Sequence, residues 1–134
     1  MLKTYKGSCH CGRVRYEVDV DLAANTGRCN CTFCSKTRYW GANVKPEAFR
    51  LLCEEADTTD YQFGTKSGHH RFCKTCGLHA YGDGYVEEIG GAFVSINVAC
   101  LDAVSPEELA SLPIYYADGL NYNWMNSPKI TSYL

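Results

Sequence analysis

The sequence predicts a mainly β fold, and three observations support this prediction. Apolar and polar residues alternate in several segments, strand-like segments recur at short intervals, and helical periodicity is scarce. Short strands at such spacing are typical of a sandwich or a folded sheet. The chain has 134 residues and no polar linker, so we expect residues 1–134 to form a single domain.

The clearest strand begins after residue 13. Val14, Tyr16, Val18 and Val20 alternate with charged residues, which places the four apolar side chains on one face of a half-buried strand. Further strands are predicted at residues 39–44, 50–53, 59–63, 69–73, 77–81, 92–98 and 113–117.

One short helix is predicted near residues 105–111. Ser105 is a good N-cap, Pro106 suits the first helical position, and Glu108 completes a capping box. Residues 46–49 favour a turn that could also be helical. The sequence GDG at 82–84 predicts a hairpin turn, because no helical pattern follows it as it would in a phosphate-binding loop.

Charge and hydropathy exclude several classes of partner. The chain has 13 Lys and Arg against 15 Asp and Glu, without blocks of like charge. We therefore expect no binding to nucleic acid or to an anionic membrane surface. The opening residues contain no apolar segment typical of a signal peptide, and no apolar run approaches the roughly 20 residues of a membrane span. We expect a cytoplasmic location, a small-molecule partner and no membrane partner.

Seven of the nine cysteines fall into three groups, which suggests metal binding. In a reducing compartment such groups are typical of metal ligands or reactive thiols, and an odd total argues against complete disulfide pairing. The groups are Cys9 and Cys11; Cys29, Cys31 and Cys34; and Cys73 and Cys76.

Two of these groups together predict a structural zinc site. In an extended segment Cys9 and Cys11 project to the same side, whereas His10 points away. Cys73 and Cys76 have the C-x2-C spacing of a zinc knuckle, with Gly77 allowing a tight turn. Four thiolates would complete a tetrahedral site that closes a long loop of chain. The alternative is that these cysteines are merely small buried apolar side chains.

The remaining group predicts a second zinc ion with an exchangeable position. Cys29, Cys31 and Cys34 supply three ligands, and three protein ligands with an open position are typical of catalytic zinc. Three thiolates give this site a formal charge of about −1, which favours holding an incoming thiol over activating water. The alternative is that a histidine closes the site as a fourth ligand. The expected content is two zinc ions per chain.

The histidines near the third group have no assigned role. His69 and His70 are neighbours in a predicted strand, so at most one of them can face a given site. His79 follows Cys76 by three residues, where it could bind the metal, hydrogen-bond a thiolate or be an ordinary partly buried side chain.

Other side chains also have two interpretations. Lys36, Arg38 and Arg71 flank the cysteine groups and could bind a substrate carboxylate, or could be solvated charges. Cys53 and Cys100 are predicted to be buried, unreactive thiols. Four aromatic side chains could line a groove but are more typical of core or tail-docking positions: Trp40, Tyr115, Tyr116 and Trp124.

Three segments in order, GSCHCGRVRYEV, CNCTFCSK and HHRFCKTCG, resemble the glutathione-dependent formaldehyde-activating enzyme family, which also contains centromere protein V. The resemblance covers nearly the whole chain. It implies twisted β-sheets packed face to face in a tent-like, zinc-stabilised fold. It also implies a structural zinc at Cys9, Cys11, Cys73 and Cys76 and a catalytic zinc at Cys29, Cys31 and Cys34.

The resemblance further implies carbon–sulfur lyase chemistry. A thiol such as glutathione would bind at the open zinc position and add to formaldehyde, giving S-hydroxymethylglutathione. The expected partners are therefore a small thiol and a small aldehyde. The alternative hypothesis is a non-catalytic, zinc-stabilised module that binds another protein.

Overall fold

The computed structural model describes residues 1–134 as two β-sheets and two short α-helices. The smaller sheet has three antiparallel strands in the order β1-β2-β5. Its strands are β1 (Lys3–Ser8), β2 (Arg15–Val20) and β5 (Phe49–Leu51). The mainly β prediction is confirmed.

The larger sheet has seven strands. They are β3 (Gly27–Cys29), β4 (Gly41–Val44), β6 (Thr58–Tyr61), β7 (Gly68–Cys73), β8 (His79–Val86), β9 (Gly91–Asn97) and β10 (Tyr115–Ala117). Their order is β10-β3-β4-β9-β8-β7-β6. All neighbours are antiparallel except β10 and β3, which run parallel.

The core lies where β2 faces the larger sheet. The four apolar residues of the alternating pattern are all buried, with Val14, Tyr16 and Val18 at 0% exposure. The Tyr16 hydroxyl donates to the carbonyl of Ala80 at 3.4 Å, which links β2 to β8. The alternation in the sequence therefore identifies the buried face correctly, because side chains two residues apart share a face of a strand.

The predicted helix is present as α2 (Pro106–Ser111). Ser105 Oγ accepts a hydrogen bond from the Glu108 backbone N–H at 3.1 Å, as an N-cap should. The Glu108 carboxylate accepts from the Tyr5 hydroxyl at 2.8 Å, which ties α2 to β1. The turn at residues 46–49 is a short 3-10 helix (Pro46–Ala48). Neither helix is long and apolar enough to cross a membrane.

The hairpin turn predicted at residues 82–84 is wrong, because these residues lie inside β8. Gly82 is required there by close packing: a Cβ atom at this position would lie 2.6 Å from the backbone oxygen of His69 on β7. The glycines therefore mark a close approach of two strands and not a turn.

The prediction of a single helix is also wrong, since a second helix, α1 (Thr32–Thr37), begins within the second cysteine group. Its N-cap is Cys31, whose sulfur accepts from the Cys34 backbone N–H at 3.3 Å. Cysteine is not among the usual N-cap residues, so no recognised start signal for α1 is present in the sequence. Strands β1 and β3 were likewise not predicted.

Candidate metal centres

The first centre, which we call the four-cysteine cluster, consists of Cys9, Cys11, Cys73 and Cys76. Their four sulfur atoms lie within 4.8 Å of one another. Cys11 Sγ lies 3.6 Å from both Cys9 Sγ and Cys73 Sγ. This separation is close to the edge of about 3.8 Å expected for a tetrahedron with Zn–S bonds of about 2.3 Å. The geometry therefore fits a zinc ion bound by four thiolates.

Backbone N–H groups point at these sulfurs. Cys73 Sγ accepts from the N–H of Thr75 at 3.3 Å and of Cys76 at 3.4 Å, within the tight turn that Gly77 closes with a φ of 76°. Cys9 Sγ accepts from the N–H of Val14 at 3.3 Å. Such bonds stabilise the thiolate form that a metal requires.

The prediction that Cys9 and Cys11 lie in an extended segment is wrong. The two residues belong to the turn after β1, in which the Gly12 N–H donates to the Cys9 carbonyl at 3.1 Å. Both N-terminal thiols reach the cluster because the chain turns around them. The sulfurs meet as expected, but a turn and not strand alternation brings them together.

The second centre, the three-cysteine cluster, consists of Cys29, Cys31 and Cys34, whose sulfurs also lie within 4.8 Å of one another. Cys29 ends β3, Cys31 caps α1 and Cys34 lies in its first turn. The N–H of Cys31 donates to Cys29 Sγ at 3.4 Å. No histidine or carboxylate belongs to this cluster, so the structure does not support closure of the site by a histidine.

Hydrogen bonds make the three thiols unequal. The pKa of Cys31 is lowered, first by hydrogen bonds from the thiols of Cys29 and Cys34 and further by backbone N–H groups at the start of α1. The same bonds to Cys29 and Cys31 raise the pKa of Cys34. The backbone N–H groups at the start of α1 therefore favour the thiolate form of Cys31, which is the form that binds metal.

Aromatic side chains hold α1 against the edge of the larger sheet. Phe33, between Cys31 and Cys34, packs on His70 with ring centroids 4.3 Å apart. It also contacts His79 and Phe63, at 5.6 Å and 5.3 Å. The position of the three-cysteine cluster therefore depends on packing between α1, β7 and β8.

The three histidines of β7 and β8 have distinct surroundings. His69 Nδ1 pairs with Asp60 at 2.7 Å, and His70 Nδ1 lies 3.0 Å from the Tyr61 carbonyl. His79 is 9% exposed, and neither of its ring nitrogens has a hydrogen-bond partner. Burial lowers its pKa to about 4, and the nearby His70 adds to the effect. His79 is therefore a neutral, buried side chain at neutral pH.

The flanking cations divide into paired and unpaired groups. Arg71 forms ion pairs with Asp83 at 3.3 Å and Glu55 at 3.7 Å, and its side chain is 15% exposed. It is engaged in the fold and is not free to bind a substrate carboxylate. Lys36 and Arg38, at the end of α1, are exposed and have no carboxylate within 4.0 Å.

Of the two cysteines outside the clusters, Cys100 is buried as predicted, at 5% exposure. Cys53 is only half-buried, so the prediction of a buried thiol is wrong for this residue. Of the four aromatic residues considered, Trp40 packs against the core, whereas Tyr115 and Trp124 are 64% and 55% exposed.

Asn30 and Gly119 connect the three-cysteine cluster to the C-terminal part of the chain, and neither was predicted as a site residue. Asn30 Nδ2 donates to Asp118 Oδ1 at 2.9 Å. A Cβ atom at Gly119 would lie 2.5 Å from Cys29 Sγ. Asp118 lies 88 positions after Asn30, so the DG pair carries no local signal for such a contact.

Comparisons with known proteins agree with the cysteine pattern. A family model described as "Glutathione-dependent formaldehyde-activating enzyme" matches residues 4–118. A Halomonas elongata protein named "Putative glutathione-dependent formaldehyde-activating enzyme" is 35% identical over an alignment of 79 residues, and the alignment covers 53% of this chain and 50% of that protein. The aligned part therefore spans about half the length of this relative.

A solved structure is also similar. The crystal structure of a Rhodobacter sphaeroides protein, a structural genomics target, has a TM-score of 0.69 and 33% sequence identity to this chain. The match covers 82% of this chain and 99% of that protein.

Proposed function

The chain belongs to the glutathione-dependent formaldehyde-activating enzyme family, and we propose that it adds a thiol such as glutathione to formaldehyde or another small aldehyde. In this proposal Cys29, Cys31 and Cys34 hold a catalytic zinc. The structural zinc is held by Cys9, Cys11, Cys73 and Cys76. The activity is of the carbon–sulfur lyase type, since the reverse reaction cleaves a C–S bond.

One observation supports this proposal more than any other: the three-cysteine cluster offers three converging sulfurs and no fourth protein donor. Three sulfur ligands with a free position suit zinc, which is four-coordinate in such sites. When bound, zinc would supply the positive charge that keeps an incoming thiol in its thiolate form at neutral pH.

The protein itself would contribute electrostatics and orientation. The N–H groups of Cys31 and Cys34 donate to cluster sulfurs and so stabilise their negative charge. Lys36 and Arg38 lie at the end of α1, whose first turn contains Cys34. Neither pairs with a carboxylate, although Arg38 Nη1 donates to the Tyr133 carbonyl at 2.9 Å. In this proposal their positive charges favour an anionic thiol. Glutathione carries two carboxylates and fits this charge pattern.

The proposed reaction balances without a redox partner. The thiolate sulfur donates its electron pair to the aldehyde carbon, and a C–S bond forms as the carbonyl π bond breaks. The carbonyl oxygen takes the electron pair and then a proton, so the product is a hydroxymethyl thioether. The proton lost by the thiol equals the proton gained by the oxygen.

The test compares exchange rates in solution. In a mixture of glutathione and 13C-formaldehyde, exchange NMR measures the rate at which the adduct forms and decays, first without the protein and then with it. The zinc-loaded protein should raise this rate, and Cys31→Ser should abolish the increase without unfolding the protein. An equal rate with and without the protein would contradict the proposal.

A second candidate is a non-catalytic zinc module that binds another protein. The observation in its favour is a set of exposed apolar side chains near the C-terminus: Leu120, Tyr122, Met125 and Ile130, which are 52–85% exposed. This module would need only the four-cysteine cluster. It would bind one metal ion tightly and leave the exchange rate unchanged.

Two broader predictions remain part of this proposal. We propose that residues 1–134 act as one domain and that the protein works in a reducing compartment such as the cytoplasm. Seven of the nine cysteines are metal ligands in this proposal, which requires a compartment that keeps them reduced.

A further inference from the structure

We propose that residues 118–124, here called the covering segment, form a fixed wall of the three-cysteine site, with Asn30 as the positioning residue that holds it. We also propose that the indole N–H of Trp124 donates to a sulfur at this site. The inference rests on the proposed function only in taking the three-cysteine cluster as a metal site.

Asn30 is placed to join the two parts. It lies between two cysteines of the cluster and is 6% exposed. Its Nδ2 donates to Asp118 Oδ1 at 2.9 Å, and its Oδ1 accepts from the N–H of Leu120 at 3.0 Å. Its own backbone N–H donates to the Ala117 carbonyl at 3.2 Å. The Asn30 side chain therefore forms hydrogen bonds with both Asp118 and Leu120, at the two ends of the first turn of the covering segment.

Asp118, which accepts the hydrogen bond from Asn30, is itself held in place by further hydrogen bonds. It is 9% exposed and accepts two further bonds from Asn121 Nδ2, at 3.2 Å and 3.0 Å. The hydrogen bonds from Asn121 and Asn30 lower its pKa, so it stays a carboxylate at neutral pH. Because the bond from Asn30 is charge-assisted and buried, its loss should loosen the segment measurably.

Gly119 brings the backbone of the covering segment against the cluster itself. A Cβ atom at this position would lie 2.5 Å from Cys29 Sγ and 3.2 Å from Cys31 Cβ. Real Cβ atoms do not approach a sulfur that closely, so any other residue would displace either the segment or the thiol. The wall therefore stands on the Cys29 side of the cluster, and a thiol must enter from another side.

Trp124 shares this space. Its Nε1 lies 3.0 Å from the same hypothetical Cβ position, which is 2.5 Å from Cys29 Sγ, so both atoms adjoin the space beside Gly119, although no hydrogen bond joins them in the structure. An indole N–H can only donate, and a thiolate is a ready acceptor. We infer that this donor stabilises negative charge on a cluster sulfur or on an incoming thiolate.

The first experiment follows the solvent access of the covering segment by the fluorescence of Trp124. It uses a Trp40→Phe background, in which Trp124 is the only tryptophan. Asn30→Asp removes the donor and places two carboxylates together. It should raise acrylamide quenching of Trp124 and speed zinc removal by a chelator by roughly tenfold, the size expected for loss of a charge-assisted hydrogen bond. Asn43→Asp, on the exposed face of β4, is the matched control and should change neither.

A charge-swapped pair tests whether Asn30 acts through Asp118. The double variant Asn30→Asp with Asp118→Asn restores a donor and an acceptor in the opposite sense, so quenching and zinc removal should return toward the starting values. Failure of the double variant to recover, with the fold intact by circular dichroism, would overturn the assignment of Asn30 as the positioning residue.

Gly119→Ala tests the close contact between the covering segment and Cys29 without removing a side-chain hydrogen bond. It keeps the proposal testable if Asn30→Asp does not fold. It should speed zinc removal, whereas Gly68→Ala should not, because a Cβ there meets only the Asp83 carbonyl at 3.8 Å. Equal removal rates in both glycine variants would overturn the wall.

The donor role of Trp124 has its own spectroscopic test. In cobalt-substituted protein, Trp124→Phe should shift a sulfur-to-cobalt charge-transfer band to longer wavelength, since the sulfur loses a hydrogen bond, while Trp40→Phe should not. An unchanged band in Trp124→Phe would overturn the donor assignment. None of these readouts contains a thiol substrate or an aldehyde, so they are independent of whether the protein catalyses the proposed reaction.

Discussion

The two cysteine clusters use the same ligand atom in opposite structural settings. The four-cysteine cluster joins the turn after β1 in the smaller sheet to the end of β7 in the larger sheet, through residues such as Cys11 and Cys73, which are 62 positions apart. The three-cysteine cluster lies within one strand-to-helix segment. The comparison shows that the position of the ligands in the chain, and not their chemistry, decides how much of the fold a metal would stabilise.

The number of ligands separates the clusters more clearly than burial does. Cys9 and Cys73 are 3% and 1% exposed, but Cys11 and Cys76 are exposed, and all three thiols of the second cluster are half-buried. Four thiolates complete a tetrahedral site, but three leave a position that solvent or a ligand can reach. The first cluster is therefore suited to holding the sheets together and the second to exchange.

The largest expected effect separates the clusters by stability. Cys73→Ser should leave the protein largely unfolded, because metal binding at such a site supplies folding free energy comparable to the whole stability of a domain, about 5–15 kcal/mol. Cys31→Ser should cost only about 1–2 kcal/mol, since its cluster closes no long loop. Thermal unfolding followed by circular dichroism measures both variants.

Cys100→Ser controls for removal of a buried thiol outside either cluster. The division of roles would be wrong if Cys73→Ser and Cys31→Ser lowered the melting temperature equally.

The next effect concerns His79, which follows the four-cysteine cluster in sequence and packs on Phe33 of the three-cysteine segment. Its pKa is about 4 in the fold, against an ordinary value of about 6.5. Between these pH values His79 is protonated in the unfolded chain but not in the folded protein. Above pH 6.5 this group therefore does not reduce the free energy of unfolding. As the pH falls to 4, it lowers the free energy of unfolding by up to about 3 kcal/mol.

His79→Phe should remove this part of the acid sensitivity. The measurement is the difference in unfolding free energy between the wild type and the variant, from denaturant titrations at several pH values, so that thiol protonation common to both proteins cancels. His69→Phe is the matched control, because His69 is more exposed and faces Asp60. A difference that stays constant from pH 7 to pH 4 would show that His79 is not buried in its neutral form.

The smallest effect sharpens the functional side of the comparison. Lys36→Glu should weaken glutathione binding by roughly threefold at low salt and less at high salt, because an exposed charge acts through a screened interaction. Lys3→Glu, on the smaller sheet, makes the same charge change away from the three-cysteine cluster and should have no effect. Isothermal titration calorimetry with zinc-loaded protein gives both values, and equal affinities would remove the proposed role of Lys36.

Local patterns in the sequence predicted part of this structure. Alternation at Val14 to Val20 identified a buried strand face, Ser105 and Pro106 identified α2, and the cysteine spacing identified both groups of thiols. These features depend on residues that are close together in the sequence, so periodicity and spacing reveal them directly.

Contacts between distant segments could not be predicted in this way. Helix α1 begins at a cysteine N-cap, which the usual capping rules do not include. Gly82 is needed because the backbone of β7 lies close to it, and Gly119 contacts Cys29, which is distant from it in sequence. Arg71 looked available for a substrate because its partners, Asp83 and Glu55, become neighbours only in the folded sheet. The metals, the domain boundary and the substrate remain predictions.

The central claim is that the three-cysteine cluster holds a metal with a position free for a thiol. Cadmium-113 NMR of the cadmium-substituted protein tests this most directly, since each site gives its own resonance. We predict two resonances, one of which shifts on addition of glutathione while the other stays fixed, and Cys31→Ser should remove the responsive one. A single resonance, or two that both ignore glutathione, would contradict the claim.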